Sequence, residues 1–223
     1  MKILQKNKNK GIAESYDCWA ETYDIDHNQT RKLAESVLKG QNLDISGRSI
    51  IEIGCGTGIN TQWLSEQAKT VLALDISTGM LKKAKARVQT DNILLVHNDI
   101  RCVWPSPDGS ADVIISMLIL EHVDHLEPVF REAARVLKSG GKLFLCELHP
   151  TKQMLGQQAE FINSRSGKIE KITAFLHDVS EYVNGGLEAG FQLTEIREWR
   201  DEGSDNTNPP RLLSLLFELP STR

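Results

Sequence analysis

The residues with the plainest chemical purpose lie between Ser49 and Asn60. Ile50-Ile51-Glu52-Ile53 is an apolar run holding one carboxylate, and Gly54-Cys55-Gly56-Thr57-Gly58 follows it directly. Glycines at alternate positions let the backbone turn sharply and let a ligand lie against it with no Cβ in the way. Phosphate is a poor guest, because no Lys or Arg occurs between Glu52 and Lys69 and the lysine of a phosphate-binding loop is missing. A dinucleotide turn needs a further glycine where Ile59 stands. Glu52, at the end of the apolar run, would repel a pyrophosphate and attract a cationic ligand.

A second carboxylate falls at Asp75, after the run Thr70-Val71-Leu72-Ala73-Leu74. In a doubly wound fold an acidic residue about twenty residues past the glycines hydrogen-bonds ribose hydroxyls. Its alternative role, a helix cap, is weaker here because Ser77 and Thr78 already supply capping oxygens. Ile76 and Met80 could flank a base or simply fill the core. His122, His149 and His177 are candidate general bases, since an unperturbed imidazole titrates near neutrality. No single catalytic residue can be assigned from their positions.

These groups need elements to hold them, and the periodicities supply a candidate set. Strands are expected at residues 50–53, 70–74, 92–96, 111–117, 142–148, 192–199 and 211–219. Helices are expected at 12–38, 61–68, 80–88, 126–138 and 178–189. Strands alternating with helices indicate an α/β class, Rossmann-like and doubly wound. The expected sheet is mostly parallel and seven-stranded, with helices on both faces. Residues 1–223 read as one domain with an N-terminal helical cap at 1–40 and a lid insertion at 151–177.

Three stretches carry a resemblance to a known family. Ile51-Glu52-Ile53-Gly54-Cys55-Gly56-Thr57-Gly58 resembles motif I of the class I S-adenosylmethionine-dependent methyltransferases. Arg135-Val136-Leu137-Lys138-Ser139-Gly140-Gly141 resembles the R-V-L-K-P-G-G motif of the same superfamily, with Ser139 in place of proline. Tyr16-Asp17, Ala20 and Tyr23-Asp24 are similar to the Y-D-x-x-A-x-x-Y-D segment of its small-molecule members. The resemblance runs from about Tyr16 to Leu148 and is specific to the superfamily, not to an acceptor. It implies that the last strand of the sheet is antiparallel.

The resemblance implies S-adenosylmethionine as cofactor, which carries an ammonium and a sulfonium and no phosphate. It implies cofactor contacts from Tyr23, Glu52, Gly54, Cys55, Gly56, Asp75, Ile76, Met80, Asn98, Asp99, Ile100, Ser116 and Met117. Asp99 would accept from the adenine amino group, its local alternative being an Asx turn. Tyr16, His122, His149, His177 and Tyr182 are the candidates for an acceptor pocket. The aromatic residues of the 12–38 segment could instead do no more than pack it onto the sheet.

The expected activity is methyl transfer to a small-molecule or carrier-bound acceptor. An NAD-dependent oxidoreductase and a non-catalytic binding protein of the same fold are the competing classes, the first disfavoured by Glu52 and Ile59. Ser116-Met117-Leu118-Ile119 lacks the N/D/S-P-P-aromatic run of enzymes that methylate nucleic-acid amines. Glu121 has no second glutamate with which to form an arginine-methylating pair, and no metal site can be assembled. A net charge of −4 argues against a nucleic-acid surface. Lys2, Lys6, Lys8 and Lys10 read as a solvated tail. The four cysteines form no C-x-x-C pair, and no apolar run approaches the length of a membrane span. A soluble cytoplasmic monomer or homodimer is expected, with no nucleic-acid or membrane partner.

Overall fold

The structure is a computed structural model that describes residues 2–5, 11–164, 166–205 and 207–221. The lysine tail beyond residue 5 lies outside the described residues. A central sheet is built from β2 (Ser49–Ile53), β3 (Thr70–Asp75), β4 (Ile93–His97), β5 (Ala111–Met117), β6 (Leu137–Leu148), β10 (Gln192–Trp199) and β11 (Leu212–Glu218). Its spatial order is β10-β11-β6-β5-β2-β3-β4. The strands β4, β3, β2, β5 and β6 pair in parallel, and β11 runs antiparallel to both β6 and β10. The expected α/β class, seven strands and antiparallel last strand are all present.

Alternation along the strands explains why helices cover both faces. Ile51, Ile53 and Ile114 point to one core, which α5 (Glu127–Val136) and α7 (Val179–Glu188) close with Val129, Phe130 and Tyr182. Ile50, Val113 and Ile115 point to the other core. There α2 (Gln29–Gly40) contributes Ala34, Val37 and Leu38, and α3 (Ile59–Ser65) contributes Leu64. Strands buried on both faces carry the near-continuous apolar runs that made them visible in the sequence. In α7, Gly185 and Gly186 are packing requirements. A Cβ on Gly186 would lie 2.4 Å from the Phe217 ring, and one on Gly185 2.8 Å from Phe130.

The expected single helix over 12–38 is two. α1 (Ile12–Trp19) ends, and the chain turns through residues 20–27 before α2 begins. Asn28 caps α2 by accepting from the Arg31 N–H at 3.0 Å, the role for which asparagine is favoured. The turn is pinned by the Trp19 indole donating to Asp26 at 2.7 Å and by Arg31 donating to the carbonyls of Tyr23 and Asp26. Residues 150–176 form α6 (Pro150–Met154) and the short strands β7 (Glu160–Ile162), β8 (Ile169–Lys171) and β9 (Ala174–Leu176). β7 pairs with β8, and β9 pairs with the N-terminal β1 (Lys2–Gln5). Phe161 stacks on Trp19 with ring centroids 5.4 Å apart, joining this segment to α1.

Candidate active site

Strand order reverses between β2 and β5, and in an open parallel sheet such a reversal leaves a crevice beyond the strands' carboxyl ends. Gly54, Cys55 and Gly56 leave β2 there, and Met117 and Leu118 leave β5 beside them. Together they line a cavity of about 620 Å³. The turn is left-handed at Gly54, Gly56 and Gly58, with φ of 71°, 55° and 81°. At Gly54 a Cβ would also stand 2.8 Å from Ile119, whereas at Gly56 the Cβ direction is open. The turn is therefore close-packed on one side and available to a ligand on the other. Leu118 itself adopts φ 58°, an uncommon conformation for a non-glycine residue.

Asp75 braces this turn. One carboxylate oxygen accepts from the Gly56 N–H at 2.8 Å and the other from the Ser77 N–H at 2.8 Å. Burial pushes its pKa up in spite of these two bonds. With Ile76, Asn98, Asp99 and Ile100 it borders a narrow cleft of about 30 Å³. Asp99 is held by Arg101 through Nε at 2.9 Å and Nη2 at 2.6 Å, which draws its pKa down. The carbonyl of Ile76 meets His97 Nε2 at 2.9 Å. α4 (Thr78–Arg87) is capped by Ser77, as its hydroxyl predicts. Met80 is buried in a cluster with Trp19, Ala20, Phe161 and Ile172, under α1 and not open to the cleft.

Glu52 lies behind the glycine turn, buried and hydrogen-bonded by the Thr61 hydroxyl. Burial pushes its pKa up to about 8, the Thr61 bond opposing and Asp75 reinforcing the rise. This rise works against the standing negative charge expected from the sequence. Ser116 is buried and donates to Glu147 at 3.1 Å, while Met117 lines the cavity.

The aspartates of the two Tyr-Asp pairs fasten the first helix over this site. Asp17 accepts from the Ser77 hydroxyl at 2.6 Å and from the Gly79 N–H at 2.7 Å, at the start of α4. Asp24 accepts from the Thr57 hydroxyl at 2.6 Å and pairs with Arg87 at 2.5 Å. Tyr16 and Tyr23 are thereby held at the mouth of a second cavity, of about 720 Å³. Its other walls include Leu118, Glu121, the segment 156–160, Lys171 and Arg211.

The histidines divide. His122 Nε2 is 2.7 Å from the Tyr16 hydroxyl and Nδ1 is 2.7 Å from the Thr173 carbonyl. His149 borders neither of the two large cavities; its Nδ1 accepts from the Thr151 N–H to cap α6, and Nε2 lies 3.2 Å from Glu198. His177 is likewise buried, with Nδ1 2.7 Å from Glu181 and Nε2 2.7 Å from the Val123 carbonyl. Tyr182 is a core residue whose pKa burial raises well above its ordinary value, with Glu147 and Glu121 adding to the rise. His149 thus joins α6 to β10 and His177 joins α7 to the Val123 turn, contacts that spacing alone does not reveal because Glu198 and Val123 are remote in sequence.

Arg31, absent from the sequence-based set, borders both large cavities. Its guanidinium carbon sits 3.9 Å over the Tyr23 ring, and its Nε is buried without a partner. Asn60 Oδ1, beside the glycine turn, and Asn98 Oδ1, at the narrow cleft, are also buried and unpartnered. A cation and an acceptor at the glycine end suit the carboxylate and ammonium of an amino acid. An acceptor at the other end suits an adenine amino group. The donor set thus fits S-adenosylmethionine.

Comparison with known proteins agrees. Residues 51–145 match the model of a methyltransferase domain family. The chain is 28% identical to an uncharacterised methyltransferase of Emericella nidulans over 220 residues, covering 82% of this chain and 76% of that protein. It is 28% identical to the demethylmenaquinone methyltransferase of Tropheryma whipplei over 172 residues, 75% of this chain and 70% of that one. It is 31% identical to the malonyl-[acyl-carrier protein] O-methyltransferase of Serratia marcescens over 139 residues, 62% and 53% of the two chains. An S-adenosylmethionine-dependent methyltransferase of Mesorhizobium loti has the same fold, with a TM-score of 0.71 at 22% identity over 85% of this chain and 99% of that one. The glycine turn, the switch-point cavity and these relatives agree: residues 51–145 match a methyltransferase domain, and the unpartnered atoms around the turn fit S-adenosylmethionine.

Proposed function

We propose that the protein transfers the methyl group of S-adenosylmethionine to a small organic or carrier-bound acceptor held in the cavity of about 720 Å³ between the first helix and residues 156–171. The observation that carries this reading is that Tyr23, Arg31 and Leu118 border both this cavity and the one beside the glycine turn. Cofactor and acceptor therefore meet at one shared wall. The volume falls in the usual range for pockets that enclose small ligands. Among the relatives, one acts on a quinone precursor and another on a carrier-bound malonyl group by their names, which supports the same class of acceptor here.

In this reading Asp75 holds the ribose, and Asn98, Asp99 and Ile100 border the adenine. Gly54, Cys55 and Gly56, with the backbone of Ser116 and Met117, border the amino-acid end. Arg31 takes its carboxylate and Asn60 its ammonium. Residues 1–40 act as a cap and 151–177 as a lid. The cofactor supplies an electrophilic methyl. The protein's share is alignment, and orienting a nucleophile in this way is worth roughly 7 to 11 kcal/mol of barrier.

The test is incubation of the purified protein with a metabolite extract and 13C-methyl-labelled S-adenosylmethionine. Label in one or a few small products is the expected result. Cofactor binding by calorimetry with no labelled small molecule would count against the acceptor class.

A further inference from the structure

The Tyr16 hydroxyl lies 2.7 Å from His122 Nε2. On the other side of the ring, Nδ1 lies 2.7 Å from the Thr173 carbonyl oxygen, which can only accept, so Nδ1 carries a proton. The neutral ring then offers Nε2 as an acceptor, and Tyr16 must donate to it. Glu121 Oε1 stands 3.7 Å from the same Nε2. Tyr16 and Glu121 both border the acceptor cavity, and His122 stands behind them at the narrow cleft.

We propose that Tyr16 is a catalytic residue for an acceptor hydroxyl, taking its proton while passing its own to His122, so that the acceptor is an alcohol, phenol or enol. This rests on the acceptor cavity assigned above. In the step, the acceptor O–H bond breaks and its proton moves to Tyr16 Oη. The proton of Tyr16 moves to His122 Nε2, and the freed oxygen pair forms the new bond to methyl. The cofactor's sulfur keeps the pair of the broken S–C bond and leaves as a neutral thioether, so the sulfonium charge reappears as the His122 imidazolium. That cation is received by the Thr173 carbonyl and by Glu121.

Two features support a relay over a resting phenolate. Burial raises the Tyr16 pKa well above its ordinary value, reinforced by Tyr23, Glu121 and Asp75 and opposed by Arg31. The phenol thus keeps its proton until another is delivered. Tyr16 also adjoins Asp17, which fastens α1 to α4, so the relay exists only while α1 is seated. The ionisable groups around His122 are Tyr16 of α1, Glu121 of its own turn, and Asp75, Asp99 and Arg101 across the cleft.

The test begins with no acceptor. Nitrogen NMR of 15N-histidine-labelled protein with S-adenosylhomocysteine should show His122 as the neutral Nδ1–H tautomer, with Nε2 shifted in Tyr16→Phe. An Nε2–H tautomer, or an Nε2 signal indifferent to Tyr16→Phe, overturns the relay. With the metabolite extract, the carbon shift of the transferred methyl should report O-methyl products. Tyr16→Phe and His122→Asn should lower the rate by about 100-fold or more, the scale of positioned proton transfer, with S-adenosylhomocysteine affinity kept within about threefold. Exclusively N- or C-methyl products, or a rate within about threefold of wild type in either variant, also overturn it. An extract in which the wild type methylates nothing counts against the small-molecule reading, while the tautomer decides the relay independently.

Discussion

Glu121 helps to keep a proton on Glu147. Burial pushes the Glu147 carboxyl up to about 8, and the neighbouring Glu121 adds to the rise against opposing bonds from Leu120, Ser116 and Ile119. A carboxyl that titrates near 8 when folded and near 4.5 when unfolded holds an extra proton in the native state between those values. Stability therefore falls as pH rises from about 5 to about 8 and levels off above. Glu52, also pushed up to about 8, contributes in the same sense. Thermal melts across this range should show a shallower slope for Glu147→Gln than for wild type. Parallel slopes would remove Glu147 as their source.

Asp75→Ala should weaken S-adenosylmethionine while leaving a cooperative melt. The carboxylate offers further lone pairs beyond its bonds to Gly56 and Ser77. Losing a hydrogen bond to a charged group costs about 1.5 to 3 kcal/mol, or roughly 10- to 150-fold in affinity. Calorimetry on variant and wild type decides it. An unchanged dissociation constant would strip Asp75 of the ribose role.

Arg31→Ala offers a sharper test of which end of the cofactor lies where. The unpartnered Nε of Arg31 should serve the amino-acid carboxylate alone. The variant is expected to bind S-adenosylmethionine about 10-fold or more weakly, the cost of a charge-assisted bond. Its affinity for 5′-methylthioadenosine, which lacks that carboxylate, should not change. Equal losses for both ligands would point to a collapsed site.

Two glycines separate binding from packing. Gly186→Ala places a Cβ 2.4 Å from the Phe217 ring, and overpacking of this kind costs about 1 to 3 kcal/mol, visible in a denaturant melt. Gly56→Ala meets no protein atom within 4 Å but has φ 55°. It should cost about 1 to 2 kcal/mol in backbone strain and lose cofactor affinity besides. The reverse ranking in cofactor affinity would mean that the open side of the turn faces no ligand.

Parts of this molecule were legible because their cause is local. A left-handed turn between a buried strand and a helix demands glycine, so Gly54, Gly56 and Gly58 announce it. Strands buried on both faces must be apolar, so β5 could be placed to the residue. Other parts depend on partners far along the chain. The break after Trp19 is fixed by Arg31 and Asp26, and no periodicity in 12–38 marks it. Strand β6 begins at Leu137, earlier than the expected Lys142, because Gly140 at φ 75° and an irregular register against β5 let the chain continue pairing. The histidines differ by what they touch, and Glu198, Val123 and Thr173 are invisible from positions 149, 177 and 122. Arg31 is silent for the same reason, since a lone arginine at a helix start resembles many surface residues until the fold sets its guanidinium over Tyr23.

The narrow cleft beside Asp75, of about 30 Å³, is far smaller than the two large cavities. Ile12 of α1 borders it, and Asp17 and Asp24 tie the chain that follows to Ser77, Gly79, Thr57 and Arg87. On the proposed placement of the adenosyl group, its passage on this side works against those bonds. A release of residues 11–28 breaks these contacts together, and such segment motions run in microseconds to milliseconds. Loosening these two aspartates, which touch no reacting atom, should raise the rate of product departure while eroding the seated position of α1.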